Sequence, residues 1–340
     1  MNNLYIRADM NNKISMGHIM RCLSVADAAA KRGAVCTFIT ADEQAEALVR
    51  DRGHRCIVLG TDWNDMESEV IKLEKVIREE KAERLLVDSY SVTEGYLRKV
   101  NSLTDVYYID DLNAFIYPVY AVINYANYAS DSFYPVRFPG TKYYLGCGYA
   151  PLREVFADMH PKKISYEVKN LLIMSGGSDP YGILGGLLGA IPLDKYNDIN
   201  VICGNYNENE EELRSTYGTH PSVHIFSHVK KIWELYEQAD AAISAGGSTL
   251  YELSSMGVPT ITYSFADNQI PNVRSFDTDE LMPCAGDVRG GEVPRRVSEL
   301  LEEIDSYEYR SCISRRLQKV VDGKGADRIA RLLLSDKEKD

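Results

Sequence analysis

The chain has 340 residues, of which 45% are hydrophobic and 26% charged, and its net charge is −12 at pH 7. That length suits two domains better than one core, and the negative charge argues against nucleic acid or an anionic membrane surface as a general partner. No apolar run approaches the roughly 20 residues of a membrane helix, so we expect no stable membrane insertion. The seven cysteines are scattered and never spaced as Cys-x-x-Cys, which indicates reduced thiols in a cytoplasmic protein.

The first half of the chain alternates short apolar runs with helical patterns. The apolar runs predict strands at residues 4–9, 35–39, 55–59, 84–88, 106–110 and 119–124. The segments between them predict helices, the first of which ends at Gly33. Strict alternation of this kind indicates a parallel sheet that is covered by helices on both faces.

A proline- and tyrosine-rich region from about 125 to 169 interrupts this pattern, and a second alternating series follows. It predicts strands at 170–174, 199–202, 223–226, 241–244 and 259–263, and then helices from 292 to the end with a break at 322–325. We therefore expect a domain at 1–155, a second at 165–320, and a C-terminal helix at 321–340 that could cross back to the first domain.

The stretch Ile14–Leu23 lies between the first predicted strand and the first predicted helix. A strand, a glycine-containing loop and a helix N-terminus together present backbone N–H groups to an anion. His18 lies near the start of the helix, where the helix dipole disfavours imidazolium and favours a neutral imidazole that can act as a base. A solvent-exposed histidine that merely begins the helix remains the alternative.

A glycine turn follows the predicted strand 241–244. Gly246 and Gly247 could offer N–H groups to a phosphate, and Ser248 or Thr249 could add a hydroxyl and cap the next helix. Glu252 lies one turn into that helix. Its carboxylate could accept hydrogen bonds from a sugar diol, or it could belong to a capping box, and spacing alone favours neither.

A second glycine turn, Ser175-Gly176-Gly177-Ser178, follows the first strand of the second half, and a plain tight turn is as good an explanation there as a phosphate contact. Neither turn continues as a Walker-type phosphate loop, and neither half opens with a dinucleotide-binding fingerprint.

Polar side chains follow two other predicted strands. Asn268 and Gln269 are amides that suit a hydroxyl-rich ligand, although a simple turn would also explain them. Asp110 and Asp111 are adjacent carboxylates, which brace loops more often than they bind metal. We therefore assign no metal site.

Taken together, these stretches resemble the UDP-sugar hydrolase of the pseudaminic-acid pathway (UDP-2,4-diacetamido-2,4,6-trideoxy-beta-L-altropyranose hydrolase), a family grouped with spore-coat polysaccharide biosynthesis proteins of glycosyltransferase-like fold. The resemblance covers nearly the whole chain and rests on residues Gly17–Leu23, Val87–Tyr90, Ile109–Leu112, Tyr149–Phe156, Ser244–Glu252, Asp267–Gln269 and Asp322–Ala326.

The resemblance implies the GT-B architecture, in which two Rossmann-like domains with parallel sheets face a central cleft and the C-terminal domain holds the nucleotide. By the same resemblance, the two glycine turns would bind the diphosphate and Glu252 the ribose. His18 would be the catalytic histidine and Tyr90 a residue beside it. Gly17 and Arg21 belong to the same motif and are expected to contact substrate. No cofactor is implied.

The function expected from this resemblance is a metal-independent hydrolase that releases UDP from a UDP-linked deoxy-diacetamido sugar by attack of water at the anomeric carbon. It would serve nonulosonate or surface polysaccharide biosynthesis. The alternative is an inverting glycosyltransferase that uses the same histidine to deprotonate an acceptor hydroxyl. A nucleotide-sugar binding protein without chemistry is a third possibility, but such a protein would not need a base.

Overall fold

The structure is a computed structural model that describes residues 3–11, 13–14, 16–204 and 206–335. Ser15 and residues 336–340, which belong to the predicted histidine stretch and the predicted last helix, lie outside the described residues. The chain divides into two units. The first unit runs to Glu154 and resumes at Lys324, and the second unit is Val155–Gly323.

The first unit is built from seven strands and five helices of the described chain. The strands are β1 (Asn3–Ala8), β2 (Val35–Thr40), β3 (Arg55–Val58), β4 (Arg84–Asp88), β5 (Asp105–Ile109), β6 (Ala121–Asn124) and β7 (Lys142–Leu145). The helices are α1 (Gly17–Lys31), α2 (Glu46–Asp51), α3 (Met66–Glu80), α4 (Glu94–Asn101) and, at the end of the chain, α12 (Gly325–Leu334). The strands form one parallel sheet in the order β3-β2-β1-β4-β5-β6-β7.

The second unit repeats this arrangement. Its strands are β8 (Asn170–Met174), β9 (Asp198–Cys203), β10 (Val223–Ser227), β11 (Ala241–Ala245), β12 (Thr260–Ser264) and β13 (Cys284–Asp287). Its helices are α5 (Ile183–Ala190), α6 (Glu210–Tyr217), α7 (Ile232–Gln238), α8 (Thr249–Ser255), α9 (Ile270–Thr278), α10 (Val293–Ile304) and α11 (Tyr307–Val320). These strands are also parallel, in the order β10-β9-β8-β11-β12-β13.

Local sequence explains most of these elements. The central strands are continuous apolar runs because helices cover both of their faces, and every residue of β6 and β11 is buried. Three of the described helices, α3, α4 and α11, begin with a side-chain cap. Asp65 accepts a hydrogen bond from the Ser68 N–H at 3.3 Å before α3, and the Thr93 hydroxyl accepts one from the Tyr96 N–H at 3.0 Å before α4.

The two strands that the alternation did not predict, β7 and β13, are edge strands. β7 is only partly buried and rich in tyrosine, and β13 contains Gly286 with a φ of +106°. Neither has the continuous apolar run that marks a central strand, which is why the sequence pattern missed them.

The last helix, α12, packs against α1 within the first unit. The Arg84 guanidinium on β4 donates to the Leu333 carbonyl oxygen at 2.7 Å. At the start of α12, a Cβ on Gly325 would lie 2.1 Å from the Ala150 carbonyl oxygen, so only glycine fits. The Asp322–Ala326 stretch of the family resemblance therefore has a packing reason.

In each sheet the first strand of the unit is central. The chain adds its next two strands on one side of it and then reverses, adding the remaining strands on the other side. The reversal falls between β1 and β4 in the first unit and between β8 and β11 in the second. In open α/β sheets, ligands bind outside the carboxyl ends of the strands at such a switch point. His18 follows β1 and Asp88 ends β4, whereas the two glycine turns follow β8 and β11.

Candidate active site

The carboxyl ends of β1 and β4 bring His18 and Asp88 together in the first unit. His18 is the second residue of α1, and Asp88 is the last residue of β4. The His18 Nδ1 atom lies 2.6 Å from Asp88 Oδ1, and the two residues are 5% and 1% exposed. The exposed helix-start histidine that the sequence left open is therefore not what the structure shows.

Asp88 determines which nitrogen of His18 carries the proton. Burial alone would raise the pKa of Asp88, but the charge of Arg21 and the contact with His18 lower it well below its usual value. A carboxylate only accepts hydrogen bonds, so Nδ1 is the donor in this pair. In neutral His18 the lone pair then lies on Nε2, which is the arrangement of a general base oriented by a carboxylate.

Arg21 lies one helical turn after His18 and holds Asp88 from the other side. Its Nε donates to Asp88 Oδ2 and its Nη2 to Asp88 Oδ1, both at 2.5 Å. Its Nη1 donates to Asp111 Oδ2 at 3.0 Å and to the Tyr125 hydroxyl at 2.7 Å. The guanidinium that the sequence analysis assigned to substrate is thus engaged by protein groups on every nitrogen.

Tyr90 closes one side of the imidazole. Its ring meets the His18 ring edge to face, with centroids 4.5 Å apart, and its hydroxyl donates to Asp111 Oδ2 at 2.6 Å. Burial around the hydroxyl raises the pKa of Tyr90 far above its usual value, and the charge of Asp111 raises it further. The phenol therefore stays protonated and acts as a hydrogen-bond donor and an aromatic wall beside the histidine.

The neighbouring carboxylates Asp110 and Asp111 have different surroundings. Asp110 is fully buried and accepts hydrogen bonds from the hydroxyls of Tyr117 and Tyr134 at 2.7 and 2.5 Å, which braces the loop after β5. Burial raises its pKa despite these bonds. Asp111 is 20% exposed and faces Arg21 and Tyr90. Among the described residues, no group of three His, Cys, Asp or Glu side chains is arranged to hold a metal ion.

In the second unit, the turn Ser175–Ser178 leaves β8 with Gly176 at a φ of +84°. A Cβ on Gly204 would lie 2.1 Å from the Gly176 carbonyl oxygen, so this turn packs against the backbone that follows β9. Gly176 and Gly177 are exposed, whereas Ser175 is buried and its hydroxyl has no partner in the described part of the chain.

The turn after β11 differs from the sequence expectation in one respect. Gly246 N–H donates to the Tyr263 carbonyl and Gly247 N–H to the Ala245 carbonyl, both at 2.9 Å, so neither is available to a phosphate in this conformation. The first turn of a helix leaves its N–H groups without intrahelical partners, and here Ser248 and Thr249 begin α8.

Packing explains why residue 246 is glycine. A Cβ there would lie 2.4 Å from Val273 Cγ1, whereas a Cβ on Gly247 would meet no atom within 4 Å. The Gly246 carbonyl accepts a hydrogen bond from the Asn272 side chain at 3.1 Å, and Asn272 in turn accepts one from the Tyr251 hydroxyl at 2.6 Å. This buried network holds the turn in place, and no local sequence pattern predicts it.

Three of the remaining predicted binding residues, Glu252, Asn268 and Gln269, lie in the second unit. Glu252 accepts a hydrogen bond from the buried Tyr236 hydroxyl at 2.9 Å. Gln269 uses its side-chain oxygen to accept from the Phe265 N–H at 3.1 Å, which braces the loop after β12, and Asn268 is exposed. Gly17, in the first unit, begins α1 with open space around its Cα.

Comparison with known proteins adds an independent view. Residues 188–311 match the sequence profile of the glycosyltransferase family 28 C-terminal domain. The chain is 27% identical over 343 residues to the spore coat polysaccharide biosynthesis protein SpsG of Bacillus subtilis (strain 168), an alignment that covers 96% of each protein.

A shorter alignment of 141 residues is 28% identical to the pseudaminic acid cytidylyltransferase and UDP-2,4-diacetamido-2,4,6-trideoxy-beta-L-altropyranose hydrolase of Helicobacter pylori (strain ATCC 700392 / 26695). It covers 40% of this chain and 24% of that protein.

The crystal structure of Acinetobacter baumannii MurG matches this chain with a TM-score of 0.72 at 13% identity, over 98% of this chain and 99% of that one. The fold is GT-B. The predicted fold class, two Rossmann-like domains with parallel sheets, is thereby confirmed. The chain is glycosyltransferase-like in its profile match and its fold. No helix within the described residues has the length and apolar character needed to cross a membrane.

Proposed function

We propose that this chain is a nucleotide-sugar enzyme that transfers the sugar of a UDP-sugar donor to a hydroxyl group, with His18 as the general base. The observation that carries the proposal is the buried His18–Asp88 pair at the switch point of the first sheet. If Nδ1–H donates to Asp88, neutral His18 keeps its basic lone pair on Nε2, and the pair lies where α/β sheets bind their ligands.

The proposed step is a single displacement. His18 Nε2 takes the proton of the acceptor hydroxyl while the acceptor oxygen forms a bond to the anomeric carbon. The bond between that carbon and the phosphate oxygen breaks, and UDP leaves with the bonding electron pair. Asp88 stabilises the imidazolium that forms, because its carboxylate accepts the Nδ1–H bond.

The second unit would bind the nucleotide. Its two glycine turns follow the two strands that flank the switch point, and the first turn of α8 offers N–H groups and hydroxyls at Ser248 and Thr249. Glu252 would accept hydrogen bonds from the ribose hydroxyls, oriented by Tyr236. Stabilisation of the leaving diphosphate by these dipoles would require no metal ion.

The comparisons favour transfer to a sugar or polysaccharide hydroxyl over the hydrolysis expected from the sequence. The alignment that spans nearly the whole chain is to a polysaccharide biosynthesis protein, and the profile match is to a glycosyltransferase domain. Hydrolysis is the second candidate, since part of the chain aligns with a protein whose name includes a UDP-sugar hydrolase. In that case water would replace the acceptor hydroxyl at the same base.

The two candidates are separated by the products. The protein is incubated with a panel of UDP-sugars, with and without oligosaccharide acceptors, and both UDP and the sugar product are measured by mass spectrometry. A glycoside formed only with acceptor supports transfer, whereas free sugar at the same rate without acceptor supports hydrolysis. UDP release that depends on added divalent cation would contradict the metal-independent mechanism.

His18→Asn tests the base itself. General-base catalysis contributes about 10²–10⁴-fold, so kcat should fall by about that factor while UDP binding, measured by calorimetry, stays close to that of the wild type. Near-normal turnover of a folded His18→Asn variant would refute the proposal.

A further inference from the structure

Arg21 has an arrangement that substrate binding does not explain. It is 9% exposed, and its three nitrogens reach two carboxylates and one hydroxyl of the protein. Those partners stand at the ends of three adjacent strands, with Asp88 ending β4, Asp111 after β5 and Tyr125 after β6. A residue that binds an anionic substrate keeps at least one N–H edge turned toward the ligand, and this guanidinium turns its edges toward the protein.

We propose that Arg21 is a positioning residue that fixes the Asp88 carboxylate, and through it the imidazole of His18. This inference rests on the proposed function only in calling His18 a base.

The geometry of the fork supports this role. His18 and Arg21 are three residues apart on α1, so their side chains leave the same face of the helix. The two parallel N–H···O bonds from Arg21 fix the plane of the Asp88 carboxylate. Asp88 Oδ1, which one of these bonds orients, is the atom that accepts the His18 Nδ1–H bond. A lysine would supply the charge but not the fork.

The ion pair between Arg21 and Asp88 also has an electrostatic effect on the imidazole of His18. An unneutralised carboxylate beside the imidazole would favour its protonated form, whereas a guanidinium on that carboxylate offsets this effect. Asp111 acts in the opposite sense, because it partly neutralises Arg21. In the described chain, the titratable and charged groups facing the imidazole are Arg21 on its own helix, Asp88 at the end of β4, Tyr90 in the loop after β4 and, beyond these, Asp111 after β5.

The test follows the imidazole of His18 directly, so that it needs no turnover. The protein is labelled with ¹⁵N- and ¹³C-histidine, and the His18 signal is assigned by its loss in His18→Asn. Its titration midpoint and the protonation of Nδ1 and Nε2 are measured by NMR in the wild type, Arg21→Gln, Arg21→Lys and Asp111→Asn. Tyr125→Phe is the matched control, because it removes a partner of Arg21 without changing a charge.

Arg21→Gln should move the His18 titration midpoint to higher pH, and Asp111→Asn should move it to lower pH. Arg21→Lys should give a smaller shift than Arg21→Gln but lose the fixed Nδ1–H signal, since the fork is gone. Tyr125→Phe should leave the midpoint unchanged. If Arg21→Gln does not fold, the inference is still tested by Arg21→Lys and Asp111→Asn, which should shift the His18 titration midpoint in opposite directions.

Unchanged His18 titration in the folded variants would overturn the inference. A loss of UDP-sugar binding in Arg21→Lys with no change at His18 would also overturn the inference. It would indicate that Arg21 binds the substrate. Absence of turnover in the wild type would count against the proposed function alone, because the NMR result stands without it. Where turnover is measurable, the acidic limb of the pH–rate profile should move with the NMR midpoint.

Discussion

Replacing Asp88 by asparagine should destabilise the first unit strongly, and by an amount that depends on pH. The carboxylate accepts from Arg21 Nε and Nη2 and from His18 Nδ1, and it is fully buried. Asparagine retains one acceptor oxygen and turns an NH₂ group toward the remaining donors. Breaking a buried ion pair from one side costs about 3–5 kcal/mol. Asp111 still faces Arg21, so we expect the lower end of that range.

The sign of the pH dependence follows from the pKa of Asp88. Burial would raise it, but Arg21 and His18 hold it well below the roughly 3.9 of an unfolded aspartate. A carboxylate with a lowered folded-state pKa contributes its full stability above the unfolded value and loses it as the pH falls through the folded value. The contribution of the Asp88 carboxylate to the stability difference between wild type and Asp88→Asn should be fully present above about pH 4 and shrink below it.

The unfolding free energy of the first unit can be measured by tryptophan fluorescence, because each unit contains one of the two tryptophans. Trp63 lies in the first unit and Trp233 in the second, so Trp63 fluorescence in a Trp233→Phe background reports urea unfolding of the first unit. Asp327→Asn is the control, because its carboxylate pairs with Arg32 and Arg331 near the surface, where solvent screening should limit the cost to about 1 kcal/mol. A cost of that small size for Asp88→Asn at pH 7, or one that is the same at pH 3, would refute the reasoning.

Three further predictions follow from single contacts. Gly325→Ala should lower the unfolding free energy by about 1–3 kcal/mol or more, because its Cβ would meet the Ala150 carbonyl, whereas Gly148→Ala, in the same unit and with its nearest atom 3.8 Å away, should change it little in the same urea titration. Tyr236→Phe should weaken UDP binding by about 1 kcal/mol in calorimetry, since it removes the hydrogen bond that orients Glu252, and unchanged affinity would argue that Glu252 does not hold the ribose. Tyr90→Phe keeps the ring against His18 and should reduce kcat less than Tyr90→Ala; equal losses would mean that the hydroxyl, and not the aromatic wall, is what matters.

The sequence by itself determined the repeated α/β architecture. Strands such as β4 and β11 are buried on both faces, so their interiors are mostly apolar, and some of the helices carry a side-chain cap or a glycine stop, as at Thr93 before α4 and Gly33 after α1. Both are local patterns that need no knowledge of distant residues. The edge strands β7 and β13 carry a weaker version of the pattern, since one face of an edge is not covered.

Local patterns also singled out His18 and the glycine turns, because a helix start and a tight turn are features of neighbouring residues, whereas Tyr90 was expected only from the family resemblance. They did not show that Gly246 and Gly247 use their N–H groups within the protein, since the Gly246 partner, Tyr263, lies on the next strand of the sheet.

Only the tertiary structure decided how the histidine is held. Asp88 is 67 residues from Arg21 in the chain, and Asp111 is 90 residues from it. Their meeting depends on the order in which β1, β4 and β5 lie side by side, which brings the carboxyl ends of parallel strands to one edge. A buried aspartate at a strand end is a weak signal in sequence. Its charge and its partners become evident only when the sheet places an arginine and a histidine beside it.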